Sequence, residues 1–134
     1  MVLTFSHIGV AVASMEQALR VYETILGYSI LSGPVKDPVQ NVYVCFLGTR
    51  EARNPVIELV APAGDDSPVN RVLAKGIGAY HMCYEVENLE AALEELRSKG
   101  CLVISRPVPA TAFAGHRIAW FYTPTRQLME LVER

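Results

Sequence analysis

The sequence predicts an α+β fold made of two βαβββ modules related by internal duplication. A histidine heads an apolar, β-prone run twice, in SHIGVAV at residues 6–12 and in YHMCYEV at residues 80–86. A helical pattern follows each run, and about fifty residues after each histidine a glutamate lies inside a second apolar run, which gives the pairs His7–Glu58 and His81–Glu130. Two phrases that repeat at nearly one offset are typical of duplicated modules.

Length and composition fit a single domain. The chain has 134 residues, of which 51% are apolar, enough to bury a core without disulfides. We place the first module at residues 1–61, a connector at 62–78 and the second module at 79–134. The net charge is −2 with acids and bases mixed, which gives no indication of a nucleic-acid or membrane partner.

The N-terminus and the cysteines indicate where the protein works. The first residues lack the basic region of a signal peptide, and no apolar run approaches about eighteen residues, so we expect a cytoplasmic protein without a membrane span. Cys45, Cys83 and Cys101 are widely spaced and lie in apolar runs. We therefore expect small buried thiols in a reducing compartment.

The first module is predicted to begin with a strand at residues 2–12, in which side-chain alternation puts His7 on a face of small residues. Ser14 and Gln17 form a capping-box pattern, and apolar periodicity then predicts a helix that ends at Gly27. The further elements expected are a strand at 28–32, a loop at 33–40, a strand at 41–47, a hairpin loop at 48–55 and a strand at 56–60.

The second module repeats this order after a short connector helix at 68–75, for which Ser67 is the predicted cap. Asn88 is predicted to cap the main helix, and Gly100 to end it. The buried stripe of this helix is expected at Leu89, Ala92, Leu93 and Leu96. The strands and loops expected are a strand at 80–87, a strand at 101–105, a loop at 106–115, a strand at 117–122, a turn at 123–126 and a strand at 127–132.

The two glutamates are the first sign of a metal site. A carboxylate within an apolar pentapeptide is costly to bury unless it is paired or bound to metal. Because each glutamate is matched with a histidine, we predict one divalent ion, Ni²⁺, Co²⁺, Mn²⁺, Zn²⁺ or Fe²⁺, with the ligands His7, Glu58, His81 and Glu130. No cysteine repeats with the histidines, which disfavours a structural Cys/His zinc site.

Such a donor set predicts a particular chemistry. Four protein ligands leave about two positions of an octahedral ion for two oxygens of a substrate. The expected reaction is polarisation of a carbonyl and proton transfer at the adjacent carbon. Glu130 is the predicted base, and Glu58 is either a further ligand or a second base.

Four segments of the chain have the order and spacing of a known family: SHIGVAV, VIELVAP, YHMCYEV and LMELVE. They resemble the vicinal oxygen chelate superfamily, the glyoxalase/bleomycin resistance/dioxygenase fold. This superfamily includes glyoxalase I, methylmalonyl-CoA epimerase, fosfomycin-resistance enzymes and extradiol dioxygenases. The resemblance covers nearly the whole chain and implies a single glyoxalase-like domain over residues 1–134, with curled mixed sheets around a metal or ligand cavity. It also implies a homodimer, and metal ligands at His7, Glu58, His81 and Glu130.

Departures from the family pattern narrow the choice of member. Bacterial-type glyoxalases hold glutathione with an arginine and an asparagine where this chain has Ala11 and Pro62, so glutathione is disfavoured. Epimerases of the family take a second base from the strand near 41–47, which has no carboxylate here. Glu130 acting alone fits an isomerase or a lyase better than an epimerase. His116 is a further polar candidate at the cavity mouth.

The preferred function is therefore a metal-dependent lyase or isomerase that binds a small carbonyl or carboxylate substrate through two oxygens and works through an enediolate. The alternative is a resistance-type transferase, or a metal-free binding protein of the bleomycin-resistance kind. A transferase for an anionic drug would need basic residues, for which Arg106 and Arg117 are the candidates. An extradiol dioxygenase is disfavoured because Glu58 fills a position that oxygen needs.

Overall fold

The computed structural model describes residues 1–52 and 54–134, which form two compact units. One, the N-unit, is His7–Tyr80, and the other, the C-unit, combines Met1–Ser6 with His81–Arg134. In the described part of the chain no helix has the length and apolar character needed to cross a membrane.

The N-unit has the predicted β-α-β-β-β order, so the α+β fold class is confirmed here. Strand β1 pairs in parallel with β4, whereas β4 with β3 and β3 with β2 are antiparallel, which gives the order β2-β3-β4-β1. The elements are β1 (Thr4–Ala11), α1 (Met15–Arg20) continued by a π-helical turn (Val21–Ile25), β2 (Ser29–Asp37), β3 (Val42–Gly48), β4 (Ile57–Pro62) and α2 (Val69–Ala74).

Helix α1 starts and stops where the sequence predicts. The Ser14 hydroxyl accepts a hydrogen bond from the Gln17 amide at 3.2 Å, which satisfies one of the orphan donors of the first turn. Gly27 takes a φ of +75°, a conformation that costs glycine little and ends the helical segment. Apolar residues of α1 pack on a fully buried cluster of Cys45, Leu47 and Leu59.

Strand β2 corrects one expectation. A loop was expected at 33–40, but the strand continues to Asp37 through a cis Gly33–Pro34 bond, with register shifts against β3. The reason is its place at the edge of the N-unit sheet, where a proline without an amide hydrogen is tolerated. Gly33 has a φ of +88°, and a Cβ there would lie 2.7 Å from the Val44 carbonyl oxygen, so glycine is required.

The start of α2 also differs from expectation. The N-cap position is Pro68 and not Ser67, and no side chain caps the helix. Ser67 instead closes a turn, its amide donating to the Gly64 carbonyl at 3.1 Å, so the helix begins one residue later than predicted.

The C-unit repeats the order and adds one short strand. Strand β5 pairs in parallel with β9, and β8 pairs antiparallel with β9, β6 and β7. The loop expected at 106–115 therefore contains β7, because this segment folds back on β8, and a short 3₁₀ turn. The elements are β5 (Ala79–Val86), α3 (Leu89–Ser98), β6 (Leu102–Val103), β7 (Val108–Pro109), the 3₁₀ turn (Thr111–Phe113), β8 (Arg117–Tyr122) and β9 (Leu128–Glu133).

Helix α3 has the predicted cap and the predicted buried stripe. The Asn88 side chain accepts from the Ala91 amide at 2.9 Å. The side chains that α3 buries are Leu89, Ala92, Leu93 and Leu96, all at most 7% exposed. They pack against Ala119, Phe121, Met129 and Leu131 of the sheet, so one face of β8 and β9 is committed to the helix.

Replacing Asn88 with alanine should lower the free energy of unfolding by about 1 kcal/mol, since the Ala91 amide loses its acceptor at the start of α3. For a chain of this size the melting temperature should fall by roughly 3–5 °C. Circular dichroism during heating measures the change. Glu87→Ala, one residue earlier and exposed, is the control, and an equal loss in both variants would contradict the capping role.

Candidate metal centre

Strand register puts His7 and Glu58 on one face of the N-unit sheet. Strand β1 runs beside β4 with Gly9 opposite Glu58, and His7, two residues before Gly9, lies on the same face. His7 is 0% exposed and Glu58 is 5% exposed. Atom Nε2 of His7 lies 3.5 Å from Oε1 of Glu58.

The C-unit repeats this arrangement. Cys83 of β5 is opposite Glu130 of β9, and His81 is two residues before Cys83. His81 is 4% exposed and Glu130 is 3% exposed. Atom Nε2 of His81 lies 3.8 Å from Oε1 of Glu130. In each unit the fold thus brings the predicted histidine and the predicted glutamate together.

Two aromatic residues that were not predicted from the sequence complete the pairs. Phe46 on β3 is the cross-strand neighbour of Glu58, and its ring meets the His7 ring edge-on, with centroids 5.3 Å apart. Trp120 on β8 is the neighbour of Glu130, and its ring meets the His81 ring edge-on at 4.8 Å. The available signal was an aromatic residue on the strand before each glutamate. These rings restrict the imidazoles and limit access of water.

The donor atoms and their spacing fit a metal ion. Separations of 3.5 and 3.8 Å exceed a typical N–H···O hydrogen bond of about 2.9 Å. They are shorter than about 4.2 Å, the largest separation of two atoms that each lie about 2.1 Å from one ion. All four side chains are buried, and each offers a ligand atom of a kind that first-row divalent metals bind.

Arg117 is not available to an anionic ligand beside Glu130. Its guanidinium group donates to Glu90 of α3 at 2.6 Å and to Glu133 at 2.8 Å. Hydrogen bonds to Glu90 and then to Glu133 raise the pKa of Arg117. Because side chains alternate along β8, Arg117 lies on the α3 side of the sheet and Trp120 on the side of Glu130. The expectation that Arg117 serves an anionic drug is therefore corrected.

His116 and Arg106, the other polar candidates, are both exposed. His116 directly precedes β8 and is four residues from Trp120, roughly 13 Å along an extended strand. His116 is therefore remote along β8 from Trp120, the residue that lies opposite Glu130.

The cysteines are free thiols, as expected. Cys45 and Cys83 are fully buried, and Cys101 is partly buried against the α3 core. Burial, with a smaller effect of Glu23, raises the pKa of Cys45 to about 11, so this thiol is not a nucleophile near neutral pH. Cys83 takes the place that Gly9 has in the N-unit, beside the glutamate.

Comparison with known proteins places this chain in a family. A profile of the Glyoxalase/Bleomycin resistance protein/Dioxygenase superfamily matches residues 6–120. The ethylmalonyl-CoA/methylmalonyl-CoA epimerase of Cereibacter sphaeroides is 31% identical over 124 residues, which cover 91% of this chain and 90% of that protein. The chain spans 56% of the bovine and 57% of the human mitochondrial methylmalonyl-CoA epimerase.

Solved structures agree with this placement. The Mycobacterium tuberculosis methylmalonyl-CoA epimerase superposes with a TM-score of 0.84 at 27% identity, covering 97% of this chain and 87% of that one. A variant of the Streptomyces coelicolor methylmalonyl-CoA epimerase, in complex with 2-nitronate-propionyl-CoA, gives 0.81 at 27% identity with 98% of each chain covered. The predicted resemblance and fold are therefore confirmed.

Proposed function

The chain belongs to the glyoxalase/bleomycin resistance protein/dioxygenase superfamily, and we propose that it is a divalent-metal-dependent isomerase of the epimerase type, acting as a single glyoxalase-like domain. The proposed substrate is a 2-alkylmalonyl-CoA thioester, in which one carbon lies between a carboxylate and a thioester carbonyl. The similarity to relatives named as epimerases of methylmalonyl-CoA and ethylmalonyl-CoA supports this substrate class. The observation that carries the proposal is the buried His–Glu pair present in both units.

We propose that both pairs bind the same ion, with His7, Glu58, His81 and Glu130 as its ligands. Two ionised carboxylates would bring two negative charges into a buried site, where each buried charge costs several kcal/mol unless an opposite charge balances it. One divalent cation would balance both carboxylates, and neutral imidazole is the form of histidine that binds metal. Such an ion, Ni²⁺, Co²⁺, Mn²⁺, Zn²⁺ or Fe²⁺, would polarise the thioester carbonyl and the carboxylate of the substrate and so acidify the proton on the carbon between them.

The roles of the two glutamates follow from what surrounds them. Inversion at carbon needs an acid–base group on each face of that carbon. Strand β3 supplies none, because the side chains it places on the Glu58 face are Val42, Val44 and Phe46, all buried. In our proposal Glu130 therefore removes the proton and Glu58 returns one to the opposite face. The apolar wall keeps water from competing for the transferred proton.

Four of the sequence-based expectations have less support: the lyase, the resistance-type transferase, the homodimer and the cytoplasmic location. The relatives described above are named as epimerases, which supports the isomerase over the lyase. The resistance-type transferase loses Arg117 as an anion-binding group. The homodimer and the cytoplasmic location rest on the family resemblance and composition, and light scattering near 30 kDa, about twice the chain mass of 14.8 kDa, would support the dimer.

The proposed activity can be tested by proton exchange. We expect metal-loaded protein in D₂O to remove the α-proton signal of methylmalonyl-CoA from the ¹H NMR spectrum, and chelator-treated protein to leave it. Both epimers of the substrate should lose the signal. If the rate of α-proton exchange does not exceed that of the chelator-treated control with any of the five ions, the proposed isomerase activity is contradicted.

The single tryptophan should report metal binding directly. Because the Trp120 ring lies 4.8 Å from the His81 ring, Ni²⁺ or Co²⁺ bound at His81 is expected to quench its fluorescence, and EDTA to restore it. His81→Ala should abolish saturable quenching at micromolar metal. His116→Ala, which changes an exposed histidine, is the matched control. Quenching that survives in His81→Ala would place the metal elsewhere.

A further inference from the structure

The C-unit carries an apolar strip on the same face as Glu130. Tyr122 lies opposite Leu102 across β8 and β6, and the Ile104 amide donates to the Trp120 carbonyl at 3.0 Å. The intervening residues, such as Phe121, pack on the α3 core. Alternation therefore places on the opposite face, with Glu130, the four side chains that we call the apolar strip: Leu102, Ile104, Trp120 and Tyr122.

Much of the strip is exposed to solvent although its side chains are mainly apolar. Leu102 is 64% exposed, Ile104 47% and Tyr122 36%. In the N-unit, Val35 of the edge strand β2 lies opposite Val44 on the equivalent face and is less exposed, at 38%. Contiguous exposed apolar side chains in a small protein mark a binding surface.

The strip begins at the proposed site. Trp120 is the cross-strand neighbour of Glu130, and its ring contacts the His81 ring. From Trp120 the strip extends about 7 Å along β8 to Tyr122 and about 5 Å across to β6. A group attached to the carbon whose proton Glu130 moves would therefore extend directly onto it.

We propose that the apolar strip binds the 2-alkyl substituent of the substrate, so that the protein prefers malonyl thioesters whose alkyl group is longer than methyl. This inference rests on the proposed function, since it takes Glu130 as the group next to the reacting carbon. The strip contains no charged side chain, so the carboxylate and the phosphates of such a substrate have no partner on it. An alkyl chain of roughly four carbons matches its length of about 7 Å.

The test uses 2-methylmalonate, 2-ethylmalonate and 2-butylmalonate as probes, which keep both carboxylates and vary only the alkyl group. Calorimetry gives the dissociation constant of each for metal-loaded protein. A fully buried methylene corresponds to about fourfold in affinity, and one side of the chain stays open, so we expect about twofold to fourfold per methylene. Butylmalonate should therefore bind roughly tenfold more tightly than methylmalonate, or better.

Substitutions in the apolar strip test whether the strip causes the preference for longer alkyl groups. Ile104→Ser and Leu102→Ser change exposed side chains and should leave the fold intact, while the butyl-to-methyl affinity ratio falls by at least about threefold. Ile25→Ser, which changes an isoleucine 73% exposed on the π-helical turn, should leave the ratio unchanged. A wild-type ratio near one, equal ratios in wild type and Ile104→Ser, or no measurable binding of any probe would overturn the proposal.

Two further results separate this inference from its alternatives. The ratio is also measured on chelator-treated protein, where absolute affinities drop but the strip remains. A retained ratio in a protein that binds no metal supports the strip and contradicts the proposed metal-dependent function. If Leu102→Ser converts a dimer to a monomer in sedimentation, the strip is a contact between two copies of the chain, and the proposal is overturned.

Discussion

Glu130→Gln is expected to slow α-proton exchange by about 10²- to 10⁴-fold in the methylmalonyl-CoA epimer whose proton faces Glu130, the usual effect of losing a positioned general base. The amide is nearly isosteric with the carboxylate, so packing against Trp120 should be kept, but it cannot accept the proton. The exchange rate by NMR in D₂O measures the loss. Glu94→Gln, an exposed glutamate on α3 of the same unit, is the control and should react at the wild-type rate.

Glu58→Gln is the matched variant at the duplicated position. If Glu58 serves the opposite face of the carbon, this variant should still exchange the proton of one epimer through Glu130, while inversion stops. Metal content must be measured in both variants, because each carboxylate is also a proposed ligand. Loss of exchange with full metal content identifies a base, whereas loss of both identifies a ligand. An exchange rate in Glu130→Gln that is unchanged for both epimers would contradict the role of Glu130.

Adding a divalent ion to metal-free protein is expected to raise the melting temperature by roughly 10–20 °C. Ligand at about 1,000 times its dissociation constant stabilises the folded state by about 4 kcal/mol, and a chain of this size gains a few degrees per kcal/mol. The physical reason is that the ion neutralises Glu58 and Glu130, both at most 5% exposed. Differential scanning fluorimetry with each of the five ions measures the shift.

His81→Ala provides the comparison for this stabilisation. With one ligand removed, the metal-induced shift should fall to a few degrees or less, and elemental analysis should find less than one ion per chain. Phe46→Leu leaves every proposed ligand in place and should retain most of the shift. A full shift in His81→Ala would show that the ion binds outside the proposed set. A wild-type protein that no ion stabilises would contradict the metal site itself.

Much of the site was predictable because its signals are local and occur twice. His7 and His81 lie near the starts of their strands. The two glutamates lie in apolar runs, where burying a carboxylate is costly unless it is paired or bound to metal. Capping by Ser14 and Asn88 was equally predictable, since a cap involves residues three positions apart. The prolines of β2 led to the incorrect prediction of a loop. At the edge of a sheet a proline is tolerated, and this position overrides the local preference for a loop.

What the sequence determined by itself is therefore what depends on a few neighbouring residues: the alternation that sets His7 and His81 on one face of their strands, the buried stripe of α3, and the duplication that pairs each histidine with a glutamate. The tertiary structure alone decided which distant residues meet these groups. Phe46 and Trp120 contact the histidines because antiparallel pairing brings β3 and β8 beside the glutamate strands. Arg117 turns to Glu90 and Glu133 because register and alternation place it on the helix side. Cross-strand register is a property of the folded sheet, and no single segment of the chain specifies it.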